Sequence, residues 1–488
     1  MDQPRAMYQA LAARDPRFDG IFFVGVTSTG IYCRPICTAR TPQERNCRFF
    51  TSAAQAEKAR FRPCLRCRPE LAPGNAPVDG ALRLARLIVQ RIEEGLVDDD
   101  SVGLDEIAAH FGLSARQIRR VVQKELGVSP IELILTRRLL LAKQLLTETR
   151  LPVTQVAFSS GFASLRRFND AFSARYGMPP TRLRKEAADD GAVISPSDTS
   201  TLRLAYRPPY DWPGMLAFLA ARTLEGAEHV TEDAYLRTVC LGKHRGWVRV
   251  TDAPEKNTLL VEFTHSLSPV LPALLGRLRN LFDLAARPDV IARTLMADER
   301  LRPMVKRNPG LRVPGAFDGF ELAVRAILGQ QVTVKAATTL AGRFAAAFGR
   351  QYATPLPELT RLSPTPRRVA AASIDDVAKL GIIRARAASI IALARAVESG
   401  ELQLEPASDP ERLIAQLVAL PGIGPWTAHY IAMRALRWPD AFPKEDVAVL
   451  KNLGGISPRE ADAMSESWRP WRSYAVLHIW ENRAPRSR

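Results

Sequence analysis

The sequence predicts a multidomain protein that is mainly α-helical with small α+β parts, and three observations lead to this fold class. A chain of 488 residues is too long for one hydrophobic core. Two stretches interrupt it: residues 69–80 are rich in Pro and Gly, and residues 186–201 hold four acids and no base. Elsewhere apolar residues recur mostly at helical spacing, except in short alternating runs such as "TLLVEF", residues 258–263.

These interruptions, with a less sharp break placed near Pro288, predict five segments. Residues 1–80 would form a first domain, residues 81–185 a helical domain with two helix-turn-helix patterns, and residues 186–200 a linker. Residues 201–287 would hold a small mixed sheet, and residues 288–488 a helical domain. Each folded segment is long enough to carry its own core.

The net charge of +17 is spread over the whole chain. Bases outnumber acids 12 to 7 in residues 1–80, 17 to 11 in residues 81–185 and 39 to 29 in residues 201–488. A cationic surface on every domain is expected of a protein that binds a polyanion such as DNA. A generic basic surface would give the same count.

The composition does not predict a membrane protein. The opening "MDQPRAMYQALAARD" has no charged-then-apolar leader, and no apolar run approaches the ~18 residues that span a bilayer. We therefore expect a cytoplasmic protein with no membrane partner. Thiols stay reduced in that compartment, so paired cysteines there indicate a metal site or chemistry and not disulfides.

Four of the six cysteines form two close pairs. Cys33 and Cys37 are separated by three residues, Cys64 and Cys67 by two, and four thiolates complete a tetrahedral shell for Zn²⁺. A purely structural zinc site and a metal-free cysteine cluster are the alternatives. A structural site would not need the arginines that surround these pairs, which are Arg34, Arg40, Arg45, Arg48, Arg62, Arg66 and Arg68.

The stretches "GIYCRPICTAR" (residues 30–40) and "FRPCLRCRP" (residues 61–69) resemble the amino-terminal domain of Ada-type adaptive-response proteins. That family takes a methyl group from methylphosphotriesters in DNA. The resemblance covers about residues 2–78 and implies that Cys33 is the catalytic acceptor while Cys37, Cys64 and Cys67 complete the zinc site. Zinc would keep the sulfurs deprotonated, and loss of one negative charge on methylation would raise the affinity for DNA.

The two remaining cysteines, Cys47 and Cys240, belong to neither pair, and we expect both to be packing residues. Cys240 lies in the strand-like stretch "LRTVCLG". His244 has no visible partner and is assigned no role.

Residues 104–127, "LDEIAAHFGLSARQIRRVVQKELG", show helical periodicity with Gly112 at the place of a turn, and Ser114 can cap the next helix. The pattern returns in residues 153–177, with Gly161 at the turn. Donors suited to phosphates and base edges follow each turn. The candidate DNA-binding residues are Arg116, Gln117, Arg119 and Arg120 in the first pattern, and Ser164, Arg166, Arg167 and Asn169 in the second.

This doubled pattern resembles the AraC-type regulator domain over residues 82–185. The resemblance implies two recognition helices in successive major grooves, with operator DNA and RNA polymerase as partners. A helical bundle with a solvated basic face is the alternative.

In "LPGIGPWTAHYIA", residues 420–432, Gly422 and Gly424 permit a tight hairpin whose amides can hold a DNA phosphate. "AFPKEDVAVLK", residues 441–451, follows closely, and the arrangement resembles the helix-hairpin-helix glycosylase superfamily. The resemblance implies Asp446 as the catalytic carboxylate, with Glu445 and Asp440 as the less favoured candidates.

Three more stretches are similar to AlkA-type 3-methyladenine DNA glycosylase II, over residues 201–488. They are "YRPPYDWPGMLAFLAAR", "LRVPGAFDGFELAVRAILGQQV" and "WRPWRSYAVLHIW". The resemblance implies a base pocket of Trp426, Tyr430 and Trp480, whose electron-rich faces would attract cationic alkylated purines. Gln331 departs from the family, which has an apolar wedge there, and Trp471 is assigned to the core.

Three absences narrow the predicted chemistry. Trp426 stands where bifunctional relatives carry a Schiff-base lysine, so we expect a monofunctional glycosylase. No cysteine follows Cys240, which excludes an iron-sulfur cluster after the hairpin, and no Pro-Cys-His-Arg site for O6-methylguanine is present. The prediction is a bacterial alkylation-response protein with three activities. The alternative is a transcriptional regulator with a catalytically inactive glycosylase-fold clamp.

Overall fold

In the computed structural model the described residues are 3–14, 22–50, 53–67, 69, 88, 104–105, 108, 113–188, 198–405 and 410–482. The described residues up to Ile134 belong to one compact unit, and those from Leu135 onward belong to a second. The predicted turn at Gly112 and most of the helix before it lie outside the described residues. Among the described residues, no helix combines the length and apolar character needed to cross a bilayer.

A four-stranded sheet forms the centre of the cysteine-bearing region, with strand order β3-β1-β2-β4. Strand β2 runs antiparallel to β1 and parallel to β4, and Tyr32 lies opposite Pro63. The buried rings of Phe23, Tyr32 and Phe61 pack beneath this sheet. Its elements are α1 (Gln3–Ala12), β1 (Phe23–Val26), β2 (Ile31–Cys33), β3 (Cys47–Phe50), α2 (Ala53–Lys58) and β4 (Arg62–Pro63).

Five helices cover the described residues of the predicted regulator domain. Ser114 caps the first of them as predicted, because its hydroxyl accepts the Gln117 N–H and the Gln117 side chain accepts the Ser114 N–H. Gly161 has a φ of 87°, the left-handed conformation that the predicted turn requires. The helices are α3 (Ala115–Leu126), α4 (Pro130–Glu148), α5 (Val153–Ser159), α6 (Leu165–Tyr176) and α7 (Pro180–Ala188).

A five-stranded antiparallel sheet follows, with strand order β5-β9-β8-β7-β6. The alternating stretch "TLLVEF" lies in β9, as its pattern predicts, and its apolar residues Leu259, Val261 and Phe263 are fully buried. The sheet packs against a helix whose leucines are buried on the same side. These elements are β5 (Thr199–Ala205), α8 (Trp212–Ala220), β6 (Glu228–Val230), β7 (Ala234–Leu241), β8 (His244–Ala253), β9 (Thr258–Thr264) and α9 (Leu271–Leu281).

The expectation for Cys240 is wrong in one respect. The residue lies in strand β7, as predicted, but its side chain is exposed and does not pack in the core. It sits beside the hairpin at Gly242, near the end of the strand. Cys47, in contrast, packs against the apolar cluster of Phe22 and Val24 as expected.

The rest of the chain is helical apart from one short strand pair. Helix α12 is almost entirely buried and lies at the centre of one core, while Trp468 and Phe442 lie in a second. The helices up to the hairpin are α10 (Pro288–Leu295), α11 (Arg302–Arg307), α12 (Gly319–Leu328), α13 (Val334–Phe348), α14 (Pro366–Ala370), α15 (Ile374–Ala378), α16 (Arg384–Glu398) and α17 (Pro410–Ala419). After it come α18 (Pro425–Arg434), α19 (Val447–Asn452), α20 (Pro458–Ser465) and α21 (Arg472–Glu481), and strands β10 (Arg350–Gln351) and β11 (Arg361–Leu362) form the pair.

Candidate metal centre and candidate active site

The parallel pairing of β2 and β4 brings the two cysteine pairs together. Tyr32 lies opposite Pro63, so Cys33 and Cys64 leave the same end of neighbouring strands. Cys37 and Cys67 return on the short loops that follow. The four Sγ atoms lie within 4.8 Å of one another, and all four cysteines are at least nine-tenths buried. This is a preformed set of four sulfur ligands.

The protonation of the sulfurs depends on their contacts with one another. Hydrogen bonds with Cys37 and Cys67, and then burial, raise the pKa of the Cys33 thiol. Hydrogen bonds with Cys33 and then Cys67 outweigh burial and lower the pKa of Cys37 to about 2. The sulfurs therefore share protons and cannot all ionise by themselves. A tetrahedral Zn²⁺ fits this donor set, because it allows all four to be thiolates.

Arg34 is the one arginine of the predicted set whose side chain is buried, among those the structure describes. Only 1% of the residue is exposed, and its backbone N–H donates to Cys67 Sγ at 3.4 Å. Such donors reduce the negative charge on a coordinating sulfur. The others are exposed on the same domain and available to phosphates: Arg40, Arg45, Arg48, Arg62 and Arg66. Arg68 lies outside the described residues.

The first set of predicted DNA-binding residues lies on helix α3. Arg116, Arg119 and Arg120 are exposed along it, while Ile118 faces the core. Gln117 is exposed too, but its Oε1 accepts from the Ser114 N–H at 2.9 Å. That oxygen is used by the helix cap, so the Gln117 side chain has less freedom for a base contact than the three arginines.

The second set lies on helix α6, which Ser164 caps by accepting the Arg167 N–H at 3.2 Å. Arg166 and Arg167 are exposed and Asn169 is half-buried. Arg166 is 3.9 Å from Asp170, and both side chains are so exposed that this ion pair holds neither firmly. Helix α6 therefore presents a basic outer face.

Asp446 begins helix α19 and is held by three N–H donors. Its Oδ1 accepts from the Val449 backbone at 2.9 Å and from the indole of Trp480 at 3.0 Å. Its Oδ2 accepts from the indole of Trp426 at 2.9 Å. The residue is 7% exposed, and none of these donors is a cation. This arrangement fixes both oxygens and leaves the carboxylate charge to act on a nearby positive centre.

The predicted pocket aromatics lie together beside this carboxylate. The rings of Trp426 and Tyr430 stack with centroids 5.3 Å apart and an angle of 8° between their planes. Trp480 lies 6.3 Å from Tyr430, tilted by 43°. All three are half-buried, so their faces border open space. Flat aromatic walls beside a carboxylate can hold an extruded base.

Arg434 fixes the far side of the pocket, and sequence reasoning missed it. Its Nη1 donates to Tyr430 Oη at 2.7 Å, and its Nη2 donates to the Gly315 carbonyl at 3.0 Å. Burial raises the pKa of Tyr430, but the guanidinium groups of Arg434 and Arg222 outweigh it, so this pKa lies below its usual range. The spacing of four residues between Tyr430 and Arg434 in a helix was the available signal.

The two hairpin positions, 422 and 424, have glycine for different physical reasons. Gly422 has a φ of 75°, and a Cβ there would lie 2.3 Å from Ser389 Oγ. Gly424 has a φ of −86° and no atom within 4 Å of such a Cβ. Gly422 is required by the fold. Gly424 faces open space directly before helix α18, where a phosphate can approach the backbone amides.

The loop at Gln331 is tied to the hairpin by its neighbour Gln330, which the sequence did not single out. Gln330 Nε2 donates to the Gly422 carbonyl at 2.9 Å and to Thr427 Oγ1 at 3.1 Å, and its carbonyl accepts from Arg386. Gln331 is exposed with a φ of 52°, uncommon for a side-chain-bearing residue. The loop thus presents Gln331 outward beside the hairpin.

The alternatives to Asp446 have other environments. Asp440 is bound by Arg469 and by Arg472, whose Nε lies 2.7 Å from Asp440 Oδ1, so it is an ion-pair partner. Glu445 is exposed. Trp471 packs with its ring 6.0 Å from that of Tyr474, within the second helical core. These positions favour Asp446 as the pocket carboxylate.

Four protein families match successive parts of the chain. They are the metal binding domain of Ada over residues 6–70, a helix-turn-helix domain over residues 107–186, the AlkA N-terminal domain over residues 201–318 and the HhH-GPD superfamily base excision DNA repair protein over residues 324–473.

Similar proteins cover the whole chain and its second half. A Mycobacterium tuberculosis protein named "probable bifunctional transcriptional activator/DNA repair enzyme AlkA" is 41% identical over 97% of this chain and 95% of its own length. The DNA-3-methyladenine glycosylase 2 of Escherichia coli is 38% identical over 57% of this chain and 95% of its own length. A 3-methyladenine DNA glycosylase from Archaeoglobus fulgidus, 20% identical, shares the fold over 57% of this chain and 97% of its own, with a TM-score of 0.50.

Proposed function

The chain belongs to the family of bifunctional transcriptional activator/DNA repair enzymes of the AlkA type, and from this premise we propose that it joins three activities. It accepts a methyl group from DNA methylphosphotriesters on Cys33, binds DNA sequence-specifically to regulate transcription, and excises alkylated purines of the 3-methyladenine type. The four matched families support one or more of these activities each.

The methyl acceptor would be the sulfur of Cys33. Zinc, when bound by the four cysteines, supplies the positive charge that keeps their sulfurs deprotonated at neutral pH. Cys33 Sγ attacks the methyl carbon of the phosphotriester, the carbon–oxygen bond breaks, and the phosphate oxygen keeps the electron pair. A thiolate becomes a neutral thioether, so the site loses one negative charge. Repulsion of the DNA backbone falls, and affinity rises. The thioether is not regenerated, so each chain reacts once.

The base-excision reaction would take place at Asp446. A damaged base is extruded from the duplex and enters the pocket that Trp426, Tyr430 and Trp480 border. Its positive charge is attracted to the aromatic faces. As the bond to the sugar breaks, the sugar becomes an oxocarbenium-like cation, which the carboxylate stabilises until water adds. Trp426 stands in place of a Schiff-base lysine, so the strand is not cleaved by a lyase step.

The observation that carries the excision function is the pair of indole N–H bonds to Asp446. A protein that used this fold only as a DNA clamp would gain nothing from a buried carboxylate held between two pocket tryptophans. Burying such a charge is costly unless it is satisfied by hydrogen bonds, which this site provides. The geometry therefore supports an active glycosylase over an inactive clamp.

The regulator would use the basic faces of helices α3 and α6 to contact DNA in successive grooves. We propose RNA polymerase as the partner through which it acts, and the cytoplasm, at the nucleoid, as its place of action. The boundaries 1–80, 81–185, 186–200, 201–287 and 288–488 stay part of the proposal. The boundary between the two compact units, at residues 134 and 135, falls within helix α4 and does not coincide with a proposed domain boundary.

The test of excision is the Asp446→Asn variant. It keeps the size of the side chain but loses the charge, and we expect release of 3-methyladenine from alkylated DNA to fall by at least about a thousandfold while DNA binding persists. The matched control is Glu445→Gln, which removes the neighbouring exposed carboxylate and should keep full activity. Undiminished release by Asp446→Asn would refute the assignment.

A further inference from the structure

Within the part of the chain that the structure describes, strand β5 lies at the end of the five-stranded sheet and pairs only with β9. An edge strand leaves backbone N–H and C=O groups without a neighbouring strand. At Arg203 both groups are nevertheless bound. Its carbonyl accepts from Gln144 Nε2 at 2.8 Å, and its N–H donates to Glu148 Oε2 at 2.9 Å. Helix α4 therefore covers the open edge of the sheet at this point.

Gln144 and Glu148 are one helical turn apart, so they lie on the same face of α4. One offers a donor and the other an acceptor, the same pair that a neighbouring strand would offer to one residue. Gln144 Nε2 also donates to Glu148 Oε2 at 3.1 Å, which holds the two side chains in place. The Glu148 side chain is 19% exposed, and the carboxylate makes its hydrogen bond to Arg203 a charged one.

We call the two hydrogen bonds from Gln144 and Glu148 to the Arg203 backbone the clamp. Apolar packing continues from it into both domains. Leu145 of α4 and Phe168 of α6 belong to the same buried cluster as Leu204 of β5 and Val261 of β9. None of these four residues is more than 1% exposed. This shared hydrophobic core holds the second DNA-binding helix, α6, against the sheet more firmly than a flexible linker could. Separating the two would expose all of the buried apolar surface to water.

We propose that the edge of strand β5 is a docking site for helix α4. Through this contact, the second DNA-binding helix, α6, and the base-excision domain form one rigid body. The predicted linker at residues 186–200 suggests two domains free to move apart. The clamp on Arg203 instead holds α6 at a fixed distance from the base pocket. DNA gripped by α6 is then presented to the glycosylase in one orientation. The orientation of the DNA rests on the proposed function, whereas the docking of α4 on β5 does not depend on either proposed reaction.

The test uses the full chain with a protease site placed at residues 189–197, a part of the predicted linker outside the described residues. After cleavage, the two fragments should elute together in size-exclusion chromatography without denaturant. Fragments that separate at low micromolar concentration would overturn the proposal. Base release and methyl acceptance, measured on the uncut protein, show independently whether the two activities are present.

Two variants locate the contact. Gln144→Ala with Glu148→Ala should weaken association of the fragments at least about tenfold, because both hydrogen bonds to Arg203 are lost. Arg203→Ala is the matched control, since the clamp holds its backbone. Its side chain lies 3.9 Å from Glu148 and is half-exposed, so its removal should change little. Equal association of the double variant and the control would contradict the clamp.

Hydrogen exchange provides a readout if the double variant folds poorly. In the unmodified chain the Arg203 amide should exchange slowly for an edge strand, because Glu148 accepts its proton. Single Glu148→Ala should speed exchange at this amide more than at Leu202 and Leu204, whose amides face β9 because amides alternate along a strand. An Arg203 amide that exchanges rapidly in both proteins would also reject the clamp.

Discussion

The metal centre and the base pocket solve the same problem in different ways, since each must keep a negative group ready next to DNA. At the metal centre, four identical sulfurs converge and a cation makes them thiolates. At the pocket, one carboxylate is held by neutral N–H donors from three helices, and no cation among the described residues forms an ion pair with it. In the proposed function the first site is consumed when it reacts, whereas the second is unchanged and can react again.

The largest expected effect is the complete loss of one activity, with the other unchanged, when only one of the two sites is mutated. Cys33→Ser should abolish methyl acceptance, because a serine hydroxyl is not ionised at neutral pH, while release of alkylated bases should be unchanged. Mass spectrometry of the protein after reaction with methylphosphotriester DNA reports the first activity, and free base reports the second.

Cys47→Ser is the matched control for this prediction. Cys47 packs outside the four-sulfur cluster and should accept no methyl group. Transfer that continues in Cys33→Ser, onto any residue, would mean that the acceptor has been assigned wrongly. A parallel loss of base release would mean that the two sites are not independent.

Protonation of His478 at acidic pH should lower the free energy of unfolding of the part of the chain that includes the base pocket. Burial lowers the pKa of His478 from 6.5 to about 4. The unfolded chain therefore binds a proton at higher pH than the folded chain, and the stability from neutral His478 is fully present above pH 6.5 and lost as pH falls through about 4. The loss is about 3 kcal/mol at most.

Denaturant unfolding of the full chain between pH 7 and pH 4 measures this effect. His478→Leu should flatten the pH dependence of the transition that includes helix α21. His244→Leu, a change at a half-exposed position on a sheet hairpin, should leave it as it is. The same steep dependence in both variants would place its origin elsewhere.

Substitution of the two hairpin glycines should give the smallest effects. It distinguishes a glycine needed for folding from a glycine needed for DNA binding. Gly422→Ala should destabilise the glycosylase part by about 1–2 kcal/mol or more, because alanine resists a positive φ and its Cβ would meet Ser389. Gly424→Ala should fold normally and bind DNA more weakly, since its Cβ would project where a phosphate approaches. Thermal melts and DNA-binding titrations separate the two, and equal stability of both variants would disprove the distinction.

The two sites also differ in how much the sequence could predict. The cysteine spacing is sufficient to predict the metal ligands, because any chain that brings two such pairs together makes a four-sulfur shell. Asp446 and its aromatics could be named only by resemblance. Their mutual hydrogen bonds depend on how helices α18, α19 and α21 pack, which no local pattern specifies.

The misses have physical reasons. Arg34 was grouped with the other arginines that surround the cysteine pairs, and no pattern showed that it is buried, because burial of a single residue after a strand is set by the loops that fold over it. Cys240 follows a strand pattern that says which residues alternate, but not which sheet face is covered near a hairpin. The sequence could not predict the clamp on Arg203, because it joins a helix and a strand on either side of a predicted linker.

The central claim is that one chain carries a site that is spent and a site that turns over. The direct measurement mixes the full-length protein with excess alkylated duplex DNA and counts, in the same sample, methyl groups on the protein and free alkylated bases. We predict that methyl groups level off at one for each chain, on Cys33, while free bases continue to accumulate well beyond one. Methyl groups that pass one for each chain, or free bases that stop at one, would contradict the account.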